Sequence, residues 1–160
     1  MDLKSKKELV KQLIEILDIL SFEEKQEIFS EVLHVKTIKL PISIFKAELS
    51  GLEIITKYLK EVERKSFKEI EKLLNRKPST VYNTYRNSKA KFKQELDLSD
   101  NFITIPVDIF LNRKYSVLEN IVAYLKEERT LSLVKISQLL NKNYNTIKTV
   151  YRKYKIKNDE

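Results

Sequence analysis

The sequence has no cysteine and no tryptophan, one glycine (Gly51), one histidine (His34) and three prolines. Each shortage closes off a kind of chemistry. Without cysteine there are no disulfides and no thiolate metal sites, which fits a reducing compartment, and a cytoplasmic location is the expectation. One glycine cannot build a phosphate-cradling loop or a dinucleotide fingerprint, both of which need several. A lone histidine with no nucleophile motif around it leaves no triad. His34 is expected at a helix end or in a core, and the acidic residues nowhere take metal-ligand spacing. No enzyme, metal or cofactor is expected. No apolar run approaches the ~20 residues of a membrane helix, and the N-terminus lacks the layout of a signal peptide, so no membrane partner is expected either.

What is present favours helices. Abundant Leu, Ile, Lys and Glu with so little Gly and Pro point to an all-α protein with short connections. A hydrophobic fraction of 42% suffices for folded cores. The most informative stretch is Ser66–Lys93. Ser66 with Glu69 three residues on is a capping box, so a helix begins at Phe67. Phe67, Ile70, Leu73 and Leu74 give it one buried face. Asn75-Arg76-Lys77 interrupts it, and Asn is the non-glycine residue that best tolerates a left-handed turn. Pro78 then suits the first position of a second helix. On that helix Val81 and Tyr85 mark the inner face and Ser79, Thr80, Tyr82, Asn83 and Arg86 the outer one.

The arrangement recurs. Ser132–Arg152 aligns with Ser66–Arg86 without a gap, pairing Ile70 with Ile136, Leu73-Leu74-Asn75 with Leu139-Leu140-Asn141, and Tyr85-Arg86 with Tyr151-Arg152. Upstream, the capping boxes Ser50/Glu53 and Ser116/Glu119 match, as do Pro41–Phe45 and Pro106–Phe110, the last pair 65 apart rather than 66. This is an internal duplication. Two copies are too few for a solenoid, so two small heads are expected. Helices are expected at 51–62, 67–74 and 78–91 in one copy and 117–128, 133–140 and 144–156 in the other. Lys36–Leu40 and Asn101–Ile105 should run extended before their prolines, and Phe92–Asp100 connects the heads. Tyr58, Tyr85, Tyr124 and Tyr151 recur at matching places and read as core. Tyr82 and Tyr144 do not match each other and point outward, either to stack on sugars or bases or simply to be solvated.

Charge is concentrated where the second helix of each pair lies. Arg76, Lys77, Arg86, Lys89, Lys91 and Lys93 fall in one acid-free segment, and Lys142, Lys148, Arg152, Lys153, Lys155 and Lys157 in another. The whole chain carries only +8, so the remainder is net acidic. A generic solvated face would mix both signs.

The N-terminal piece has no counterpart in the repeats. Residues 3–20 read as one amphipathic helix, and the capping box Ser21/Glu24 starts a second that runs to about Leu33. This hairpin is either a lid on the first head or a dimerisation arm. The domain expectation is therefore an arm over 1–35, a first head over 36–93 and a second over 94–160.

The pattern S-x-x-E-I-x-x-L-L-N-x-x-x-x-T-V resembles the helix-turn-helix superfamily, and most closely region four of the bacterial sigma factors and related regulators. The resemblance covers roughly 50–91 and 116–156. It implies two tandem trihelical helix-turn-helix heads, each placing its second helix in the DNA major groove. Ile70, Leu74, Val81 and Thr84, with Ile136, Leu140, Ile147 and Val150, match the family's core positions. Ser79, Thr80, Asn83 and Arg86, with Asn145, Thr146, Thr149 and Arg152, match its DNA-facing positions. Where the family carries Gly and then an apolar residue in the turn, this chain has Asn75-Arg76 and Asn141-Lys142. Tyr82, Lys89, Lys148 and Lys155 extend the same outer faces. Double-stranded DNA is the expected partner of a transcriptional regulator of this kind, with a homodimer through the N-terminal helices as a further candidate. An adaptor that docks proteins, or an RNA-binding protein, are the alternatives.

Overall fold

The computed structural model describes residues 3–32 and 37–159. His34 and Lys36, and with them the end of the expected second N-terminal helix, lie outside the described residues. The described chain is mostly helical, with a single two-stranded sheet.

Two compact units divide the chain, Met1–Thr37 and Ile38–Glu160. The first holds α1 (Leu3–Ile19) and α2 (Phe22–Val32). Ser21 and Glu24 make the reciprocal bonds that start α2, Ser21 N–H donating to Glu24 Oε2 at 2.8 Å and Glu24 N–H to Ser21 Oγ at 3.3 Å. These bonds hold the Glu24 carboxyl below its ordinary range. Along α1 the apolar face of Leu9, Val10, Leu13, Ile14 and Ile16 is exposed.

In the second unit each copy folds in the same order. The first runs β1 (Lys39–Pro41), a 3₁₀ turn (Ile42–Lys46), α3 (Gly51–Glu61), α4 (Phe67–Leu74) and α5 (Pro78–Lys91). The second runs β2 (Thr104–Pro106), a 3₁₀ turn (Val107–Phe110), α6 (Val117–Ala123), α7 (Leu133–Leu139) and α8 (Tyr144–Asp159). Beyond Ala123 the helix continues to Glu128 as a π turn, a wider winding than the α-helix expected there. Local chemistry sets the starts. Ser50, Ser66 and Ser116 each accept from the backbone N–H three residues on, while the glutamates there bond back. Ser132 makes half of this arrangement, accepting from Lys135 N–H, because a lysine replaces the glutamate. Asn75 and Asn141 end α4 and α7 at φ 48° and 49°, the left-handed conformation that permits the sharp turn. Arg64 and Thr130 also sit at φ 53°. There Lys65 N–H bonds Leu59 O at 2.9 Å and Leu131 N–H bonds Leu125 O at 3.0 Å, each reaching six residues back and closing the helix end without glycine.

The two copies do not stand apart. β1 and β2 pair antiparallel, with Leu40 opposite Ile105, Lys39 opposite Pro106 and Pro41 opposite Thr104. Leu40 and Ile105 are equivalent residues of the duplication, and the flanking pairs exchange equivalents. A pseudo-two-fold axis therefore passes between them. The flanking bonds obey it, Ile42 N–H to Ile103 O and Val107 N–H to Ile38 O, at 3.0 and 2.9 Å. The axis also runs between Gly51 and Val117, another equivalent pair. A Cβ on Gly51 would lie 2.5 Å from Val117 Cγ1, so the single glycine of the chain is what lets the starts of α3 and α6 meet.

One core spans the axis. Leu40, Ile42 and Ile44 of the first copy and Ile105, Val107 and Ile121 of the second belong to a single buried cluster. Packing is reciprocal, α4 against the second 3₁₀ turn and α7 against the first. The connection from Phe92 to Asp100 is pinned as well. Leu96 is buried, and Ser43 Oγ donates to Asp97 O at 2.6 Å. The expected segments 36–93 and 94–160 are thus two halves of one unit rather than separately tethered heads. The physical reason is that neither half covers its own strand edge or the apolar side of its 3₁₀ turn.

Candidate nucleic-acid interface

The outer faces of α5 and α8 are positioned from below. Ile70, Leu74 and Val81 in one half, and Ile136, Leu140 and Ile147 in the other, are at most 1% exposed. Val150 packs against this cluster half-buried, and Thr84 is half-buried. Of the tyrosines expected in the core, Tyr58 is buried, whereas Tyr85, Tyr124 and Tyr151 are half-buried. The reason is polar: Tyr85 Oη donates to Glu61 and Tyr151 Oη to Glu127, each at 3.2 Å, at matching places in the two halves. Burial and then the neighbouring carboxylate push both phenols up. Tyr154 also reaches Glu127, at 3.3 Å, and burial followed by that charge raises it to about 12. These phenols stay neutral at physiological pH and fasten each second helix to the helix that precedes the pair.

A second fastening is ionic. Lys91 Nζ lies 2.7 Å from Glu53 Oε1, and Lys157 Nζ lies 2.8 Å from Glu119 Oε2, again equivalent pairs. The carboxylates are also the capping-box acids of α3 and α6. Burial alone would raise them, but the lysine hydrogen bond and the serine cap outweigh it, so both are held below their ordinary range. From sequence alone Lys91 and Lys157 were counted with the charge of the two basic segments. Their charge is instead engaged with the capping carboxylates, and their role is to tie the end of each long helix to the start of the first.

The twelve outer-face candidates are all exposed: Ser79, Thr80, Tyr82, Asn83, Arg86 and Lys89 on α5, and Asn145, Thr146, Lys148, Thr149, Arg152 and Lys155 on α8. Ser79, Tyr82, Asn83 and Arg86 follow i, i+3, i+4, i+7 spacing and form one stripe; Asn145, Lys148, Thr149 and Arg152 form its counterpart. Thr80 and Thr146 flank the stripes. Lys155 stands 4.0 Å from Glu127, at the limit of an ion pair. Tyr82 is 52% exposed but lays its ring edge-on against Phe67, 5.5 Å between centroids, so one side of it is already used. Tyr144 lies outward at the start of α8.

Two features were not legible beforehand. Lys77 caps α5 without a side-chain hydrogen bond and Pro78 carries no N–H, so no capping side chain engages the first N–H groups of that helix, from Ser79 onward, and uncapped helix N-termini suit anions. At the equivalent place in α8, Asn143 Oδ1 accepts from Asn145 N–H at 2.8 Å and closes that end. The signal was the Lys/Asn difference between copies. The other feature is the meeting of the halves beside the first turn. Asn75 Nδ2 donates to Leu111 O at 3.5 Å, and Arg76 feels Arg113 nearby, its guanidinium pulled down by burial and then by that like charge. In the reciprocal place a shallow cleft of about 370 Å³ lies between Lys46–Ser50 and Leu140–Lys142.

Among the described residues, no group of His, Cys, Asp and Glu could hold a metal ion, and no helix is long and apolar enough to cross a membrane. Compared with models of protein families, with curated proteins and with solved structures, the chain finds no match.

Proposed function

We propose that the chain is a double-stranded DNA-binding protein of the helix-turn-helix kind, acting as a transcriptional regulator, with α5 and α8 as the two recognition helices. The observation that carries this is the coincidence of three properties on each of those helices. Each presents a stripe of small polar and amide side chains suited to base edges. Each carries exposed cations for phosphates, and each is fastened from behind by a tyrosine–carboxylate bond and a lysine–carboxylate pair. Asn83 and Asn145 are the candidates for bidentate pairing with adenine; Arg86 and Arg152 for guanine or phosphate. Lys89, Lys148 and Lys155 neutralise phosphates.

Binding of a labelled duplex across a salt series tests this. Each phosphate contact adds ~0.9 to the slope of log affinity against log salt. Lys89→Ala and Lys155→Ala are each expected to weaken all duplexes alike and to lower the slope by about one contact. An affinity independent of salt refutes the proposal, and stronger competition by structured RNA than by duplex DNA favours an RNA partner instead.

A further inference from the structure

We infer that the DNA site is an inverted pair of unlike half-sites held at one fixed spacing, with the protein's internal pseudo-two-fold axis aligned on the local two-fold of the duplex. This rests on the proposed duplex-binding function and adds its geometry. The argument begins with the strand register. Antiparallel pairing centred on the equivalent residues Leu40 and Ile105 relates the halves by rotation, and the Gly51/Val117 contact lies on the same axis. Rotation carries the α5 stripe onto the α8 stripe. If both stripes dock on one duplex in the same way, their half-sites must be related by rotation too, which on a duplex means opposite strand directions. A direct repeat requires translation between the halves.

Translation is closed to this chain. The core is continuous across the axis, each half's first helix of the pair packs on the other's 3₁₀ turn, and Leu96 and Ser43 hold the connection down. A free tether would let two heads sample many spacings; a shared core selects one. The half-sites are unlike because the stripes differ at Ser79/Asn145, Tyr82/Lys148 and Asn83/Thr149 while Thr80/Thr146 and Arg86/Arg152 agree. The arrangement is that of a symmetric dimer written into one chain, freed from reading the same bases twice.

The experiment is selection of bound sequences from a random duplex library with the full chain, followed by affinity measurements on four duplexes. These carry the selected half-sites inverted at the selected spacing, inverted with ~5 bp inserted (half a helical turn), in direct orientation, and with one half-site scrambled. The first is expected to bind at least ~10-fold tighter than each of the others, because only it engages both halves at once. Equal affinity for inverted, direct and respaced duplexes, or enrichment of a single half-site, overturns the fixed inverted geometry while leaving duplex binding intact. Failure to enrich any sequence, with the random duplex library itself bound only weakly and without salt dependence, overturns the duplex-binding function itself.

Discussion

Exchanging the two residues that meet on the pseudo-two-fold axis is the most direct perturbation of the fused fold. Gly51→Val places a side chain where even a lone Cβ would lie 2.5 Å from Val117 Cγ1 and 3.0 Å from its Cβ. Carbon pairs are most favourable near 3.5–4.0 Å, so the overlap is roughly 1 Å. Because Val117 is β-branched it has few rotamers into which to retreat. Overpacking of this kind costs about 1–3 kcal/mol. Val117→Gly alone loses a half-buried side chain and gains the backbone freedom of glycine, together about 2 kcal/mol. In the swapped variant, Gly51→Val with Val117→Gly, the same two side chains face each other across the same axis from exchanged sides. Its cost is expected to fall to about 1 kcal/mol or less, against about 4 for the sum of the singles. For a domain of this size each kcal/mol moves Tm by about 3–6 °C, so thermal unfolding followed by circular dichroism resolves the cycle. The wild type and all three variants should unfold in one transition for residues 38–159. If the singles simply add in the swapped variant, the equivalent residues do not meet and the pseudo-two-fold argument fails.

Acid should loosen the long helices. Glu53 and Glu119 titrate below their ordinary value of 4.5 when folded, so their contribution is fully present above about pH 4.5 and lost as pH falls through the depressed value. Lys91→Met with Lys157→Met should cost about 0.5–1 kcal/mol per pair near neutrality, the lysines being 60% and 39% exposed and so screened by solvent, and should flatten the acid limb of a Tm–pH profile. An unchanged profile means the pairs do not form in solution. Asn83→Ala is expected to relax base preference at one end of the selected site and Asn145→Ala at the other, each by ~1–3 kcal/mol. Selection with each variant reads this directly, and relaxation of the same positions by both refutes separate readout. Deleting residues 1–35 should lower the sedimentation mass while leaving the helical content of 38–160 intact if the N-terminal helices form a dimer arm. A full-length chain that sediments as a monomer at tens of micromolar makes them a lid.

Almost every local boundary was legible in the sequence, because its causes lie within a few residues. Ser50/Glu53, Ser66/Glu69 and Ser116/Glu119 close their bonds across three positions, and Asn75 and Asn141 carry their own tolerance of positive φ. The exposed stripes followed from helical spacing once those boundaries were set. Arg64 and Thr130 were not legible, since neither residue type prefers the left-handed conformation and the backbone bonds beside them, Lys65 N–H to Leu59 O and Leu131 N–H to Leu125 O, impose it. Lys91 and Lys157 were counted with the charge of the two basic segments, because pattern alone cannot tell an exposed lysine from one that folds back on a carboxylate 38 residues away. The relation between the copies was decided only in three dimensions. A short β-branched run before a proline says that the backbone is extended, but nothing in its period names a partner strand. Pairing Leu40 with Ile105 depends on two apolar surfaces that each half leaves open, and on the one position, Gly51, where the chain omits a side chain so that they can close.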